Sequence, residues 1–542
     1  MAMPLTASII LEGLNAAQQQ AVLTIDRPLL VVAGPGTGKT LTLVRRVAYL
    51  VHRGVRPEGI LAVTFTNRAG REMKERAEEL LGDHASKIFI GTFHLLGLRI
   101  IRERLGSGFT VLGREEQAGV LKTIVKGPAK KMLDIAERIS LVKNDIEPPD
   151  AGLGEVLALY QSALQQRGAF DFDDLIRVPI ELLQDEAVAR DYRDRFKHLM
   201  VDEYQDINPA QYRLVRLLAG ATGTLCVVGD SDQAIYSFRG ADLGNFLNFE
   251  QDIPAAGRVT LTKNYRSSGV ILSAADSVIR NNQKRISKDL TATSDAGVPV
   301  SVLSVPDDRA EGAVIIHEIE ARMGGTSHER QTNAAIDRSA TGRTHRFSDF
   351  GVIYRTNAQA RLLEEAFAAS GIPYQVIGKR GSNQRQETEE MIAFLKSLAY
   401  PGAGDNNEAQ HDPNAAEAML LTEADFFDPR ADAVTLMTMH MAKGLEFRCV
   451  FIAGCEDGLV PFTIRKDGSD IEEERRLFYV GMTRAKEELF LIHARSRFLF
   501  GKGLGPRTSP FLEEIPEDLK VSRVIADKRR KQKPEDRQMG LF

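Results

Sequence analysis

The 542-residue sequence has no tryptophan and only three cysteines, Cys226, Cys449 and Cys455. So few thiols exclude a disulfide-stapled scaffold, and no His or Cys stands at ligand spacing beside them, which argues against a thiolate metal site. Buried packing is the role left for them. No run of about 18 apolar residues occurs, so no segment is expected to cross a bilayer as a helix. The opening MAMPLTASIILEGLN lacks the basic region and cleavage pattern of a secretory signal, and the protein is expected to be cytoplasmic. Net positive charge is also missing: 70 Lys and Arg against 74 Asp and Glu leave −4. Binding to a polyanion must therefore rest on local clusters and aromatics rather than on bulk charge.

What is present is a repeated alternation of apolar strands and amphipathic stretches. LLVVAG, ILAVTFT, HLMVDEY and LCVVGD come first, and FGVIYR and VFIAGC come much later. This is the signature of parallel α/β architecture, appearing twice in a chain too long for one core of roughly 250 residues. Between GTFH and HLMVDE the pattern turns helical, as an insertion into the first α/β unit would. GGTSHERQTNAAIDRSATGRTHR at 324–346 is polar and rich in Gly, Ser and Thr, and residues 401–431 carry seven acidic residues against one arginine. Both read as loops without a core of their own.

AGPGTGKT, residues 33–40, follows the strand LLVV and precedes a helical pattern. That is the context in which a glycine-rich loop cradles phosphates. Backbone N–H groups around Gly36, Thr37 and Gly38 would face the phosphates, Lys39 would reach the β/γ oxygens, and Thr40 would hold Mg²⁺. The strict pattern has glycine where this chain has Ala33. In HLMVDEYQD, Asp202 and Glu203 end an apolar strand, which puts one carboxylate toward the metal and a second where it can orient or deprotonate the attacking water.

With these elements in place, the chain resembles the UvrD, Rep and PcrA type of superfamily 1A DNA helicases. The matching segments run in order: LNAAQQQAV, AGPGTGKT, AVTFTNRAGREM, GTFH, DFDDL, VDEYQD, VGDSDQAIYSFRGAD, NYRSS, VIYRTNAQAR, LMTMHMAKGLEF and FYVGMTRAKEEL. The resemblance implies two RecA-like P-loop domains, ATP and Mg²⁺ as cofactors, and 3′ to 5′ movement on single-stranded or tailed duplex DNA. It implies a first RecA-like domain at 1–100 and 190–270, a helical insertion at 101–189, and a second RecA-like domain at 271–515. A flexible basic tail is expected at 516–542. By the same resemblance Gln18 reads adenine, Tyr265 stacks on the base and Glu446 contacts the ribose. Gln233 senses the γ-phosphate, and Arg266 and Arg484 complete the site. An arginine fork supplied from a second domain stabilises the transferring phosphoryl group only when the cleft closes, which turns ATP binding into domain motion.

The resemblance also implies a DNA-facing set: Phe65, Thr92, His94, Phe172, Tyr236, Phe238, Arg239, Arg355, Asn357 and His440. Bases stack on such aromatics at roughly 1–3 kcal/mol each. In GDSDQAIYSFRGAD the sensor Gln233 and the base contacts Tyr236, Phe238 and Arg239 share one loop, a short link between hydrolysis and grip. Where the family commonly carries tryptophan this chain has Phe238, a ring with less π-area.

Two further departures stand out. The thirty-one residues at 401–431 occupy the place of a whole inserted subdomain, below the ~40 residues that an unaided fold needs, and KRGSNQRQE at 379–387 replaces a stretch where relatives tend to place aromatics. The ending QMGLF, with Gln538, Met539, Leu541 and Phe542, resembles short peptides that anchor in the pocket of the bacterial sliding clamp. Three functional readings result: a DNA helicase in repair, replication or recombination, a translocase that displaces proteins without efficient unwinding, and a clamp-tethered binding module with an ATP switch.

Overall fold

The computed structural model describes residues 6–220, 224–324, 345–378, 427–463, 470–499, 501–505 and 507–526. The chain divides into two units. The first is built on a six-stranded parallel sheet. Across it the strands are Phe89–Thr92, Ile60–Thr64, His198–Val201, Thr224–Gly229, Leu29–Ala33 and Gly257–Leu261. Parallel strands need crossover connections, and helices in those crossovers cover both faces, which is why the strands read as unbroken apolar runs. Alternate residues of LLVVA feed opposite cores. Leu30 and Val32 join Phe93, Leu199 and Leu214 on one face, while Leu29, Val31 and Ala33 join Val44, Val47 and Met73 on the other. Helix Asn67–Leu81 shows the local logic: the Thr66 hydroxyl accepts from Ala69 N at 3.2 Å as its cap, and Met73, Ala77 and Leu81, four apart, bury one face.

The helical insertion is narrower than the span 101–189. Its own core, including Val120, Leu121, Met132, Ile139, Tyr160 and Leu164, lies between residues 112 and 169 and closes on a two-stranded ladder, Thr110–Leu112 with Ala169–Asp171. Ile176, Ile180, Ala189, Tyr192 and Phe196 instead pack into the core of the first unit. Helix Asp174–Leu182 lies against helix Phe93–Leu105 so closely that a Cβ on Gly97 would sit 1.6 Å from the Leu175 carbonyl oxygen. That contact ties helix Asp174–Leu182 to the first unit.

The second unit holds a seven-stranded parallel sheet: Tyr374–Val376, Val434–Thr438, Phe350–Tyr354, Phe447–Ala453, Ala485–Ala494, Val300–Val305 and Lys520–Val524. Two RecA-like α/β domains are therefore present. The last strand corrects the expected tail. Residues 520–524 pair in register with 300–304, and Ile515, Phe511 and Leu512 are buried, so ordered structure continues past 516. This edge strand is held by its main-chain ladder, while Val521 and Val524 stay exposed, and KVSRV therefore carries no burial pattern to read. The boundary near 270 also shifts. Residues 266–283 belong to the second unit and 284–290 return to the first. The reduced subdomain (401–426 of it), the 379–387 stretch and the QMGLF ending lie outside the described residues. All three cysteines are buried and free, as expected. Among the described residues no helix is long and apolar enough to cross a membrane.

Gly97→Ala is expected to cost about 3 kcal/mol, the upper range for overpacking a tight contact, and to lower the melting temperature by several degrees. An unchanged melting curve would show that the two helices part at no cost.

Candidate functional site

The turn between strand Leu29–Ala33 and helix Lys39–His52 carries the phosphate loop. Thr37 donates its hydroxyl to the Gly34 carbonyl at 2.8 Å and closes the turn. Gly38 sits at φ +79° as the helix N-cap, without a side-chain cap, so the first N–H groups of the helix keep their capacity for an anion. Only glycine fits there. Beyond the left-handed backbone, a Cβ would lie 2.7 Å from Gln18 Nε2. Gln18 is itself fixed twice: it forms a capping box with Asn15 and donates Nε2 to the Thr37 carbonyl at 3.0 Å. On the other side Asn264 donates to the Pro35 carbonyl at 2.7 Å and Tyr265 N to the Gly36 carbonyl at 2.8 Å. The Tyr265 hydroxyl accepts from Asn15 at 2.9 Å, and its ring stays half exposed.

Lys39 Nζ lies 3.8 Å from Glu203 Oε1. Glu203 follows Asp202 at the end of strand His198–Val201 with φ +51°, a left-handed conformation that a non-glycine residue holds at a cost of order 1–3 kcal/mol. Its N–H donates to Asp202 Oδ1 at 3.0 Å. Gln205, fully buried, then ties the carboxylate down: its Nε2 donates to Glu203 Oε2 at 2.6 Å and to Asp206 Oδ2 at 3.0 Å, and its Oε1 accepts from Asp230 N at 2.9 Å. Asp230 in turn accepts from Gln233 Nε2 at 2.6 Å. Burial pushes the Asp230 carboxyl up, but Lys288 and Lys39 outweigh it and hold it below the ordinary carboxylate range. The first unit thus gathers Gln18, the loop from Gly36 to Thr40, Asp202, Glu203, Gln233 and Tyr265.

Arg266, Glu446 and Arg484 form a separate cluster in the second unit. Arg266 donates Nε to Glu446 Oε2 at 2.7 Å and Nη1 to the Thr483 carbonyl at 3.3 Å, while Lys486 pairs with Glu446 at 2.7 Å. Burial raises the Glu446 carboxyl, but Arg266 and Lys486 outweigh it and hold it at about 2. Arg484 is buried and donates to the Val480 and Leu445 carbonyls at 2.9 and 3.2 Å.

The expected nucleic-acid residues fall into groups. Phe65 stacks on Tyr236 with centroids 4.8 Å apart, Phe238 follows at 6.0 Å, and the Arg239 guanidinium lies 5.7 and 5.6 Å from the latter two rings. Phe238 is 61% exposed. A second pair is His94 on Phe172 at 3.9 Å; Phe172 follows Asp171, which lies in a buried knot where Lys143 pairs with Asp171 at 2.5 Å and Asp174 at 2.9 Å. Burial pushes the His94 imidazole down to about 3, so it stacks as a neutral ring at physiological pH. Thr92 accepts from Leu95 N at 3.3 Å and caps the helix that carries His94. In the second unit Asn357 opens helix Asn357–Ser370, and His440 follows strand Val434–Thr438. Arg355 forks Glu474 with its guanidinium at 2.6 and 3.0 Å.

Sequence reasoning missed Gln205, Asp230 and Lys288. VDEYQD carried a signal for Gln205, a third polar residue two positions past Glu203, whereas KRISKDL reads as a connector.

Comparison with known proteins follows the same outline. Residues 14–254 match the family described as UvrD/REP helicase N-terminal domain, and 259–403 with 412–496 match the UvrD-like helicase C-terminal domain. Among curated proteins, the ATP-dependent DNA helicase PcrA of Staphylococcus aureus (strain MRSA252) is 33% identical over 94% of this chain and 87% of its own length. The protein of that name from Bacillus subtilis (strain 168) is 33% identical over 94% and 86%.

Gln205→Leu, which removes the donor to Glu203 and the acceptor for Asp230, is expected to lower ATP hydrolysis about 100-fold, the scale of a misplaced catalytic group, with nucleotide affinity unchanged. Wild-type turnover would show that Glu203 needs no such support.

Proposed function

Because this chain belongs to the UvrD/Rep helicase family, we propose that it is an ATP-driven motor that moves 3′ to 5′ on single-stranded DNA and separates tailed duplexes in repair, replication or recombination, working at the nucleoid. The observation that carries the reading is the continuity of one polar and aromatic track. Glu203 is held by Gln205, Gln205 meets Asp230, Asp230 holds Gln233, and three positions after Gln233 comes Tyr236, stacked on Phe65. A change at the γ-phosphate is therefore felt where a base would stack.

In the proposed mechanism Gln18 and Tyr265 flank the adenine, the uncapped helix start after Gly38 receives the phosphates, and Lys39 neutralises the β/γ oxygens. Glu203, kept aimed by Gln205, orients the attacking water and takes its proton. Gln233 reports the γ-phosphate, Glu446 contacts the ribose, and Arg266 and Arg484 serve the transferring group. Thr40 and Asp202 fit Mg²⁺, since a hydroxyl and one carboxylate are the hard oxygen donors that this ion takes beside phosphate oxygens and water. When bound it supplies charge neutralisation across the β- and γ-phosphates. On the DNA side Phe65, Tyr236, Phe238 and the His94–Phe172 pair offer stacking faces, Arg239 offers charge, and Thr92, Asn357 and His440 offer polar contacts.

One observation favours translocation with weak unwinding as a second reading. The alignment with the S. aureus relative spans 653 residues, more than the 542 of this chain, so the relative carries residues without counterpart here. A short linker at 401–431 in place of a subdomain accords with that. We also propose that the ending QMGLF seats in a sliding clamp with micromolar affinity, since ordering a free peptide costs entropy.

Single-turnover assays on duplexes with 3′ or 5′ tails are expected to give unwinding from the 3′ tail alone. Opening from the 5′ tail overturns the polarity, and DNA-stimulated hydrolysis without strand separation selects the translocase reading. Phe238→Ala is expected to keep basal ATP hydrolysis and lose translocation rate at least tenfold, given about 1–3 kcal/mol per stacked base; equal rates would sink the link. A peptide of residues 528–542 is expected to bind purified clamp, and no binding at high micromolar peptide would remove that proposal.

A further inference from the structure

The segment Lys284–Leu290 belongs to the first unit, although the chain reaches it from Gln283 and leaves it to Thr291, both in the second. It is fixed by charge. Lys288 pairs with Asp230, and with Asp232 at 2.5 Å; the side-chain exposures of the three are 1%, 0% and 1%. Arg285 forks Asp232 at 3.0 and 2.8 Å, and Ile286 N donates to the Ser231 hydroxyl at 3.0 Å. The far end of the segment lies over the phosphate loop: a Cβ on Gly34 would meet both Leu290 methyl carbons at 2.7 Å. Seven residues thus touch the sensor loop at one end and the phosphate loop at the other.

Two carboxylates as buried as Asp230 and Asp232 persist as charges only with partners of opposite sign. Lys288 serves both. The carboxylate oxygen of Asp230 that does not meet Lys288 accepts from Gln233 Nε2 at 2.6 Å, and the Asp230 N–H donates to Gln205, which holds Glu203. Removing the ammonium frees Asp230 to turn or to take up a proton, and either change lets go of Gln233.

We propose that Lys288 is a positioning residue for ATP hydrolysis, acting through Asp230 to aim Gln233 at the γ-phosphate. The inference rests on the reading of Gln233 as the sensor.

The test uses the full chain with saturating single-stranded DNA. Lys288→Met is expected to lower kcat per nucleotide-binding site about tenfold or more, the scale of a misaimed catalytic group. Affinity for a fluorescent ADP, which lacks the γ-phosphate, should stay within about twofold, and Lys288→Arg should restore most of the turnover. Wild-type kcat per site in Lys288→Met, or ADP affinity falling in parallel with turnover, overturns the proposal, because a collapsed pocket loses both. Should Lys288→Met fail to fold, Arg285→Gln at the rim of the same network is expected to give a smaller loss of the same kind, and unchanged kcat there overturns it equally. Gln233→Leu separates the two readings. If it keeps wild-type hydrolysis, the sensor assignment fails; if it loses hydrolysis while Lys288→Met does not, only the positioning role fails.

Discussion

Asp230 and Asp232 are buried just past the end of a central strand, and the loop that follows keeps its form because cations reach them. Burying an ionised carboxylate without a partner costs several kcal/mol even after relaxation. Lys288, Arg285 and the nearby Lys39 meet that cost. Hydrogen bonds then spread from the neutralised centre: Asp230 to Gln233 on one side, and Asp230 N–H to Gln205 and Glu203 on the other. Glu203 and Gln233, the proposed base and sensor, are therefore oriented by one charge cluster. Neither could be moved without disturbing the other.

The same economy governs the aromatic face. Phe65 leaves the end of strand Ile60–Thr64, and Tyr236 and Phe238 leave the loop after strand Thr224–Gly229. Phe65 stacked on Tyr236 at 4.8 Å and Phe238 tilted against Tyr236 at 6.0 Å make one ladder from two strand ends. Phe238, although mostly exposed, lies against the Tyr236 ring, and the Arg239 guanidinium sits beside it. The absence of tryptophan leaves this ladder built from smaller rings, so the proposed hold on a base would depend more on geometry than on contact area.

Most of this architecture was legible in the sequence because parallel strands buried on both faces read as unbroken apolar runs and the phosphate loop follows one of them. What escaped has physical reasons. Strand Lys520–Val524 is held by backbone pairing, and its valines face solvent, so composition marks it as tail. Helix Asp174–Leu182 belongs to the first sheet through Gly97, and no pattern in a single helix says which core it will join. Lys288 is invisible for a related reason. A charged residue in KRISKDL defaults to solvent, and only the partners at Asp230 and Asp232, more than fifty positions away, reverse that default.

The two arginines of the second unit differ in how freely they could serve a phosphate. Arg266 is held by Glu446, whose side chain is 43% exposed, and Lys486 shares the same carboxylate. Lys486 pairs with the other oxygen of the same carboxylate, so Glu446 keeps a cationic partner when Arg266 turns away. Arg484 has no such alternative. It is buried and bonded to the Val480 and Leu445 carbonyls and to the Thr483 hydroxyl, three contacts that turning away would break together. Arg266 is then the arginine suited to come and go within each cycle, and Arg484 the one suited to act from a fixed position, so that exchange of partners at Glu446 carries the reversible part of the proposed cycle.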